Sequence, residues 1–154
     1  DDDDIWEIKK LELQINAMKE NNCKMSCTNG FLGNGVYNPH KKYPIYNNYF
    51  FNLIRNIHRK KGSNMMENGF PKIWTKEFLE IHNSIIACSV IIHKDIIKKI
   101  GLQKEIKMGG TIINNEEIHI DYDYWLRALE HTNCIYLNNI CVYYDTGHGG
   151  GQQF

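Results

Sequence analysis

Apolar residues recur along the first part of the chain at the three- and four-residue spacing of a helix. They are Ile8, Leu11, Ile15 and Met18. Such a stripe predicts a helix of about three turns that ends near Asn21 and packs its apolar side against the core. The alternating segment 24–28 then predicts a short strand, and 29–48, rich in Gly, Asn and Pro, predicts a long loop.

The remaining chain alternates predicted helices and strands. Helices are predicted over 49–57, 75–81, 95–100 and 121–130, with Thr75 as a cap and Gly101 as a C-terminal stop. The apolar run 84–92 predicts a buried strand, and 108–115 predicts a polar loop. Segments 134–137 and 140–144 predict a hairpin that turns at Asn138–Asn139. This order indicates a mixed α/β layout in one domain over 1–154.

Charge and composition narrow the classes of function. The formal net charge is zero over 154 residues, so no nucleic-acid partner is expected. No apolar run reaches the roughly 20 residues of a membrane span. The chain opens with aspartates rather than a basic segment, so we expect no signal peptide and a cytoplasmic location. Five cysteines without a CxxC pair predict reduced, packed thiols rather than a zinc site.

Four adjacent carboxylates, Asp1–Asp4, open the chain. Like charges at this spacing repel one another, and a bound cation would relieve that repulsion. Hard oxygen ligands suit Mg²⁺ or Mn²⁺. The alternatives are a solvated acidic terminus and part of a tag.

The sequence that follows supports the metal interpretation. The pattern Asp-Asp-Asp-Asp-Ile-Trp-x-x-Lys-Lys-Leu-Glu-x-Gln over 1–14 resembles the DxD segment of family 2 glycosyltransferases of the GT-A fold, with Ile8 at the position where that family usually has proline. The resemblance implies that Asp3 binds Mn²⁺ or Mg²⁺ directly and that Asp1 binds the ribose or the metal shell. Asp2, between them, is assigned to substrate binding.

A second segment, 120–127, resembles the Glu-Asp-Tyr-Asp-x-Trp-Leu-Arg motif of the same family. The resemblance implies that Asp121 is the catalytic base, although Ile120 stands in place of the motif's Glu. A carboxylate at a helix N-terminus is stabilised as the anion and can take a proton from an acceptor hydroxyl. The alternative is a simple helix cap. Trp125 is assigned to substrate binding, with core packing as its alternative.

Two further segments extend the resemblance. Residues 83–101 are similar to the family's strand-then-helix unit, which places Asn83 and Ser84 near the donor sugar. In the Gly-rich segment 142–151, His148 matches a histidine that completes the metal shell or contacts the diphosphate; an incidental His in a disordered tail is the alternative. The loop 29–48 would shape the acceptor pocket. Its tyrosines, and one just after it, are candidates for stacking on sugars or for ordinary packing: Tyr37, Tyr43, Tyr46 and Tyr49.

Together these segments imply an α/β, partial GT-A fold, Rossmann-like, that lacks the N-terminal nucleotide-binding half. The implied activity is inverting, metal-dependent transfer of a sugar from a nucleotide-diphosphate donor to an acceptor hydroxyl. One alternative is an inactive glycosyltransferase remnant or carbohydrate-binding module. Another is a phosphohydrolase with an acidic metal cluster, which would need further carboxylates converging on Asp1–Asp4.

Overall fold

The computed structural model describes residues 4–103, 111–113, 116–118 and 120–147. The strands are β1 Ile5–Trp6, β2 Met25–Gly33, β3 Ile73–Trp74, β4 Ile91–Ile92, β5 Thr111–Ile113, β6 Glu116–Ile118 and β7 Cys134–Asp145. The α-helices are α1 Lys10–Glu20, α2 Tyr46–Lys60, α3 Lys76–Ile81, α4 Lys94–Ile100 and α5 Ile120–Leu129, and a 3-10 turn spans Ala87–Ser89.

Five strands form one mixed sheet in the order β1-β7-β2-β4, with β3 also paired to β7. The two long central strands, β2 and β7, run parallel, and the other pairs in this sheet are antiparallel. Strands β5 and β6 form a separate antiparallel pair. They lie in and beside the segment predicted as polar loop, so strand structure there was missed.

Helices cover both faces of the central sheet. On β7, Cys134 and Tyr136 face the larger apolar cluster with α2 to α5, whereas Ile135 faces a smaller cluster with Met18 of α1. This alternation is the two-residue period of a strand buried on both faces. The prediction of a mixed α/β fold is therefore confirmed.

The helix predicted from the first apolar stripe forms, but its predicted buried face is wrong. Leu11 and Ile15 are 48% and 43% exposed, and Ile8, just before the helix, is 97% exposed. The helix instead buries Lys10 and Gln14 together with Met18. Gln14 compensates for part of its burial because its Nε2 donates to the Ser26 hydroxyl and the Ser89 carbonyl, whereas its buried Oε1 has no hydrogen-bond partner among the described residues.

The strand predicted over 84–92 is also wrong, since only Ile91–Ile92 is strand. The 3-10 turn interrupts the run. Ser89 Oγ accepts a hydrogen bond from the Thr28 amide at 3.3 Å and donates one to the Ile86 carbonyl at 2.7 Å. A serine side chain thereby occupies the β2 edge where a strand backbone would otherwise pair.

The hairpin predicted at Asn138–Asn139 is wrong as well, because β7 runs through it without turning. The β2–β7 register shifts beside Asn29, which leaves Asn138 and Asn139 as a bulge. The Asn138 side chain accepts hydrogen bonds from Asn29 Nδ2 and the Tyr136 hydroxyl. The neighbouring loop is shorter than predicted, because β2 continues to Gly33 and α2 begins at Tyr46.

The four later helix predictions are confirmed within a few residues. Thr75 Oγ1 accepts a hydrogen bond from the Phe78 amide and caps α3 as expected. Gly101 ends α4 with φ +75°, a conformation that favours glycine. Among the helices in the described part of the chain, none has the length and apolar character that crossing a bilayer requires.

Candidate functional site

A cavity of about 370 Å³ opens between the 3-10 turn and the start of α5. Its wall combines apolar and polar side chains: Ala87, Cys88, Val90, Ile92, Gln103, Asp121, Tyr124 and Trp125. Concave sites on which several polar groups converge beside apolar side chains can bind small ligands.

Asp121, the predicted base, lies in the first turn of α5 and on the cavity wall. Its Oδ1 accepts a hydrogen bond from Gln103 Nε2 at 3.1 Å. This hydrogen bond holds the Asp121 carboxylate at the wall of the cavity. A half-buried carboxylate in this position can accept a proton from a bound hydroxyl group.

Trp125 lies one helical turn beyond Asp121 and lines the same cavity. Only 6% of it is exposed, and its Nε1 has no hydrogen-bond partner among the described residues. The residue thus packs in the core, as its alternative role predicted, and its assignment to substrate binding stays a prediction.

Asn83 and Ser84 do not line this cavity. Asn83 Oδ1 accepts from the Ile85 amide, and the buried Ser84 hydroxyl donates to the His82 carbonyl. Both side chains therefore bond to nearby backbone at the entrance to the 84–92 segment. Their assignment to the donor sugar stays a prediction.

Cys88 connects the cavity to the aspartate run. Its thiol lies beside the carboxylate of Asp4, and burial, followed by the negative charge of Asp4, raises the pKa of the thiol to about 12. The Oδ2 atom of Asp4 is buried and has no N–H or O–H donor among the described residues, although a side-chain hydrogen bond between Asp4 and the Cys88 thiol contributes to the raised pKa of that thiol. A buried carboxylate oxygen with so weak a donor could be satisfied by a cation.

Lys10 lies beneath this region, fully buried, with its Nζ 3.9 Å from the centre of the Trp6 ring. No hydrogen-bond partner for Nζ exists among the described residues. Burial lowers the pKa of the Lys10 ammonium to about 8, and the surrounding thiols of Cys88, Cys141 and Cys27 oppose that shift. The ring face stabilises the charged form by a cation–π contact.

The carboxyl ends of the parallel strands β2 and β7 lie side by side, with Gly33 opposite Asp145. Ligands of open α/β sheets bind outside such strand ends. At this edge the Asp145 amide donates to Asp4 Oδ1 at 3.1 Å. Asp4, which follows Asp3 in the sequence, is therefore hydrogen-bonded to Asp145, which lies three residues before His148.

The predicted ligands themselves, Asp1, Asp3 and His148, lie outside the described residues, as does Asp2. Within the ranges that the structure does describe, no group of three or more His, Cys, Asp or Glu side chains could hold a metal ion. The metal site thus stays a prediction that depends on the undescribed termini.

The tyrosines of the loop predicted to shape the acceptor pocket pack mainly on other aromatic rings. Tyr37 stacks on Tyr43 with 5.6 Å between ring centres, and Tyr43 meets Tyr143 edge-on at 5.0 Å. Tyr46 packs against Phe50. Packing accounts for these three rings. Tyr49 also meets Phe50 edge-on at 4.9 Å, although it is 67% exposed.

Several residues around the site were not assigned from the sequence. Cys88 was interpreted as a packed thiol, and Asp4 and Asp145 had no separate role although both lie in the quoted segments. A carboxylate at the end of a long apolar strand is a signal that could have identified Asp145. Nothing in the sequence links Gln103 to Asp121, because 18 residues separate them.

No protein-family model matches this chain, and neither a curated protein nor a solved structure matches it.

Proposed function

We propose that the protein is an inverting, metal-dependent glycosyltransferase that uses a nucleotide-diphosphate sugar as donor, and that its fold is part of a GT-A fold. One observation carries the proposal. Asp121 and Cys88 line the same cavity, and the thiol of Cys88 lies beside Asp4. The candidate base and the end of the aspartate run therefore approach one another from two distant parts of the sequence.

Asp121 takes the acceptor proton in this proposal. The acceptor oxygen attacks the anomeric carbon as its hydroxyl proton passes to the Asp121 carboxylate. The bond from that carbon to the donor diphosphate breaks, and the nucleoside diphosphate leaves with the bonding electron pair. Attack from the face opposite the leaving group inverts the anomeric centre. Gln103 holds the carboxylate through its bond to Oδ1, so the base does not need to reorient.

Asp1, Asp3 and His148 would hold Mn²⁺ or Mg²⁺, which when bound neutralises charge on the leaving diphosphate. The buried Oδ2 of Asp4, which has no N–H or O–H donor among the described residues, is a further candidate oxygen ligand in that run. Trp125 lines the same cavity, and its indole ring would pack against the bound substrate.

The test measures release of nucleoside diphosphate from UDP-, GDP- and dTDP-sugars with Mn²⁺, with the longest form of the protein that its gene encodes. The Asp121→Asn variant keeps the acceptor oxygen for Gln103 but is a far weaker base. We expect its turnover to fall by about 10²–10⁴-fold, the usual contribution of a general base. Asp95→Asn is the control, because that carboxylate is exposed and pairs with Lys24; its turnover should stay within about twofold.

The outcomes separate the alternatives. An active wild type with an equally active Asp121→Asn variant would reduce Asp121 to a helix cap. Acceptor binding that needs no metal, with no transfer from any donor in the panel, would instead favour the inactive remnant or carbohydrate-binding module.

A further inference from the structure

Asp145 is the last residue of β7, and only 3% of it is exposed. A buried carboxylate is costly unless hydrogen bonds satisfy it. Its Oδ1 accepts two of them from backbone amides, 2.9 Å from Gly35 and 2.8 Å from Gly147. One oxygen atom thus links the loop that follows β2 to the turn that follows β7.

The backbone amide of Asp145 makes a third link, to Asp4 Oδ1 at 3.1 Å. The adjacent Thr146 strengthens the same junction, since its amide and its hydroxyl both donate to the Gly33 carbonyl. Gly35 has φ +82°, a conformation that favours glycine. The loop after β2, the turn after β7 and the end of the aspartate run therefore meet at Asp145.

We propose that Asp145 is a positioning residue that fixes the two segments carrying the predicted metal ligands relative to each other. Asp4 follows Asp3 directly, and Gly147 precedes His148. Asp145 holds Asp4 through its amide and Gly147 through its carboxylate. This inference rests on the proposed function, because it assigns Asp145 a purpose only if those segments bind the cation.

The anchor acts through an acceptor oxygen rather than through charge. Two bonds from backbone amides converge on Oδ1, and the amide oxygen of asparagine can accept the same two bonds. Asp145→Asn therefore keeps the anchor and removes the negative charge. Asp145→Ala removes both, and its backbone amide can still reach Asp4.

The experiment compares wild type, Asp145→Asn and Asp145→Ala, with Asp95→Ala as an exposed control. Mn²⁺ affinity is measured by electron paramagnetic resonance, and protection of the Gly35 and Gly147 amides by hydrogen exchange. We expect Asp145→Ala to lose both amide protections and to bind Mn²⁺ about 10–100-fold more weakly, as for lost outer partners of metal ligands. Asp145→Asn should stay within about threefold of wild type in both measurements.

Equal loss of Mn²⁺ affinity in the two variants would overturn the proposal and make Asp145 a charged ligand. Unchanged affinity and protection in Asp145→Ala would overturn it too.

A wild type that binds no Mn²⁺ would contradict the proposed function and the metal-positioning role together. Amide protection lost in Asp145→Ala and kept in Asp145→Asn would then still support the anchor, because exchange does not depend on metal. Asp145→Asn keeps the side-chain volume, so it remains informative if Asp145→Ala fails to fold.

Discussion

The side-chain Nε2 of Gln14 lies 2.9 Å from the carbonyl oxygen of Ser89 and donates a hydrogen bond to it. The same nitrogen donates to the Ser26 hydroxyl at 3.0 Å. All three residues are fully buried. Gln14 therefore ties α1 to β2 and to the 3-10 turn that presents Cys88 to the cavity.

Replacing Gln14 by leucine should destabilise the protein. The substitution keeps a similar volume but leaves the Ser89 carbonyl without this donor, and a buried polar group left unsatisfied costs about 1–3 kcal/mol. The substitution also removes Gln14 Oε1, a buried oxygen without a partner among the described residues, which offsets part of this cost. We expect the free energy of unfolding, measured by urea titration, to fall by about 1 kcal/mol, the lower end of that range. Since Cys88 precedes Ser89 in the same turn, a looser turn should also lower any activity of the cavity.

Ile15→Gln is the matched control on the same helix. The neighbouring Ile15 is 43% exposed, and surface substitutions of this kind usually change stability by less than about 0.5 kcal/mol. A larger loss for Ile15→Gln than for Gln14→Leu would mean that α1 packs through its apolar stripe after all.

The contrast between these two residues shows what the pattern could predict. Periodicity located α1 because three- and four-residue spacing is intrinsic to a helix. It chose the wrong face because the hydrogen bonds that make Gln14 suitable for burial come from Ser26 and Ser89, remote in sequence. The failed strand at 84–92 has the same cause, since Ser89 pairs with β2 through its side chain.

In the candidate site too, local sequence predicted one residue but not its contacts with residues remote in sequence. Asp121 could be proposed from its local motif, and the structure places it in a cavity. Its neighbours could not be predicted, because Cys88 and Gln103 reach it through the packing of separate elements. The bulge at Asn138 illustrates the limit for turns: an Asn-Asn pair favours a hairpin locally, but bonds from Asn29 and Tyr136 keep it within one continuous strand.

Lys10→Met should stabilise the protein at neutral pH. The pKa of Lys10 is about 8 in the folded chain against 10.5 for an ordinary lysine, so at pH 7 the folded state holds a buried charge. Replacing such a charge by an apolar side chain of similar size often stabilises by about 1–4 kcal/mol. The lost contact with Trp6 offsets about 0.5–2 kcal/mol. Urea unfolding at pH 7 measures the balance.

The pH dependence of this difference has a definite sign. Above pH 8 the folded state releases the Lys10 proton while the unfolded state retains it up to about 10.5. Stability conferred by Lys10 therefore rises with pH in that window. The advantage of Lys10→Met should shrink between pH 7 and pH 9.5, and the control Lys9→Met, at an exposed position, should show no such trend. A constant advantage across the range would show that Lys10 does not titrate there.

The Cys88 thiol should react with alkylating agents much more slowly in the folded protein than in the unfolded chain. Burial and the charge of Asp4 raise its pKa to about 12 from 9.0, which lowers the thiolate fraction at pH 8 by roughly 10³-fold. The greater nucleophilicity of a more basic thiolate offsets part of this, so we expect alkylation by iodoacetamide to be at least ~30-fold slower than in urea. Peptide mass spectrometry follows the labelled residue.

Asp4→Asn tests the cause of this low reactivity. Removing the carboxylate charge beside Cys88 leaves burial in place, so alkylation of Cys88 should accelerate by about three- to tenfold without reaching the rate in urea. Asp95→Asn controls for a general loss of negative charge and should leave the rate unchanged. If Cys88 in the wild type reacts as fast as in urea, the thiol does not sit desolvated beside Asp4, and the link between the aspartate run and the cavity of Asp121 fails with it.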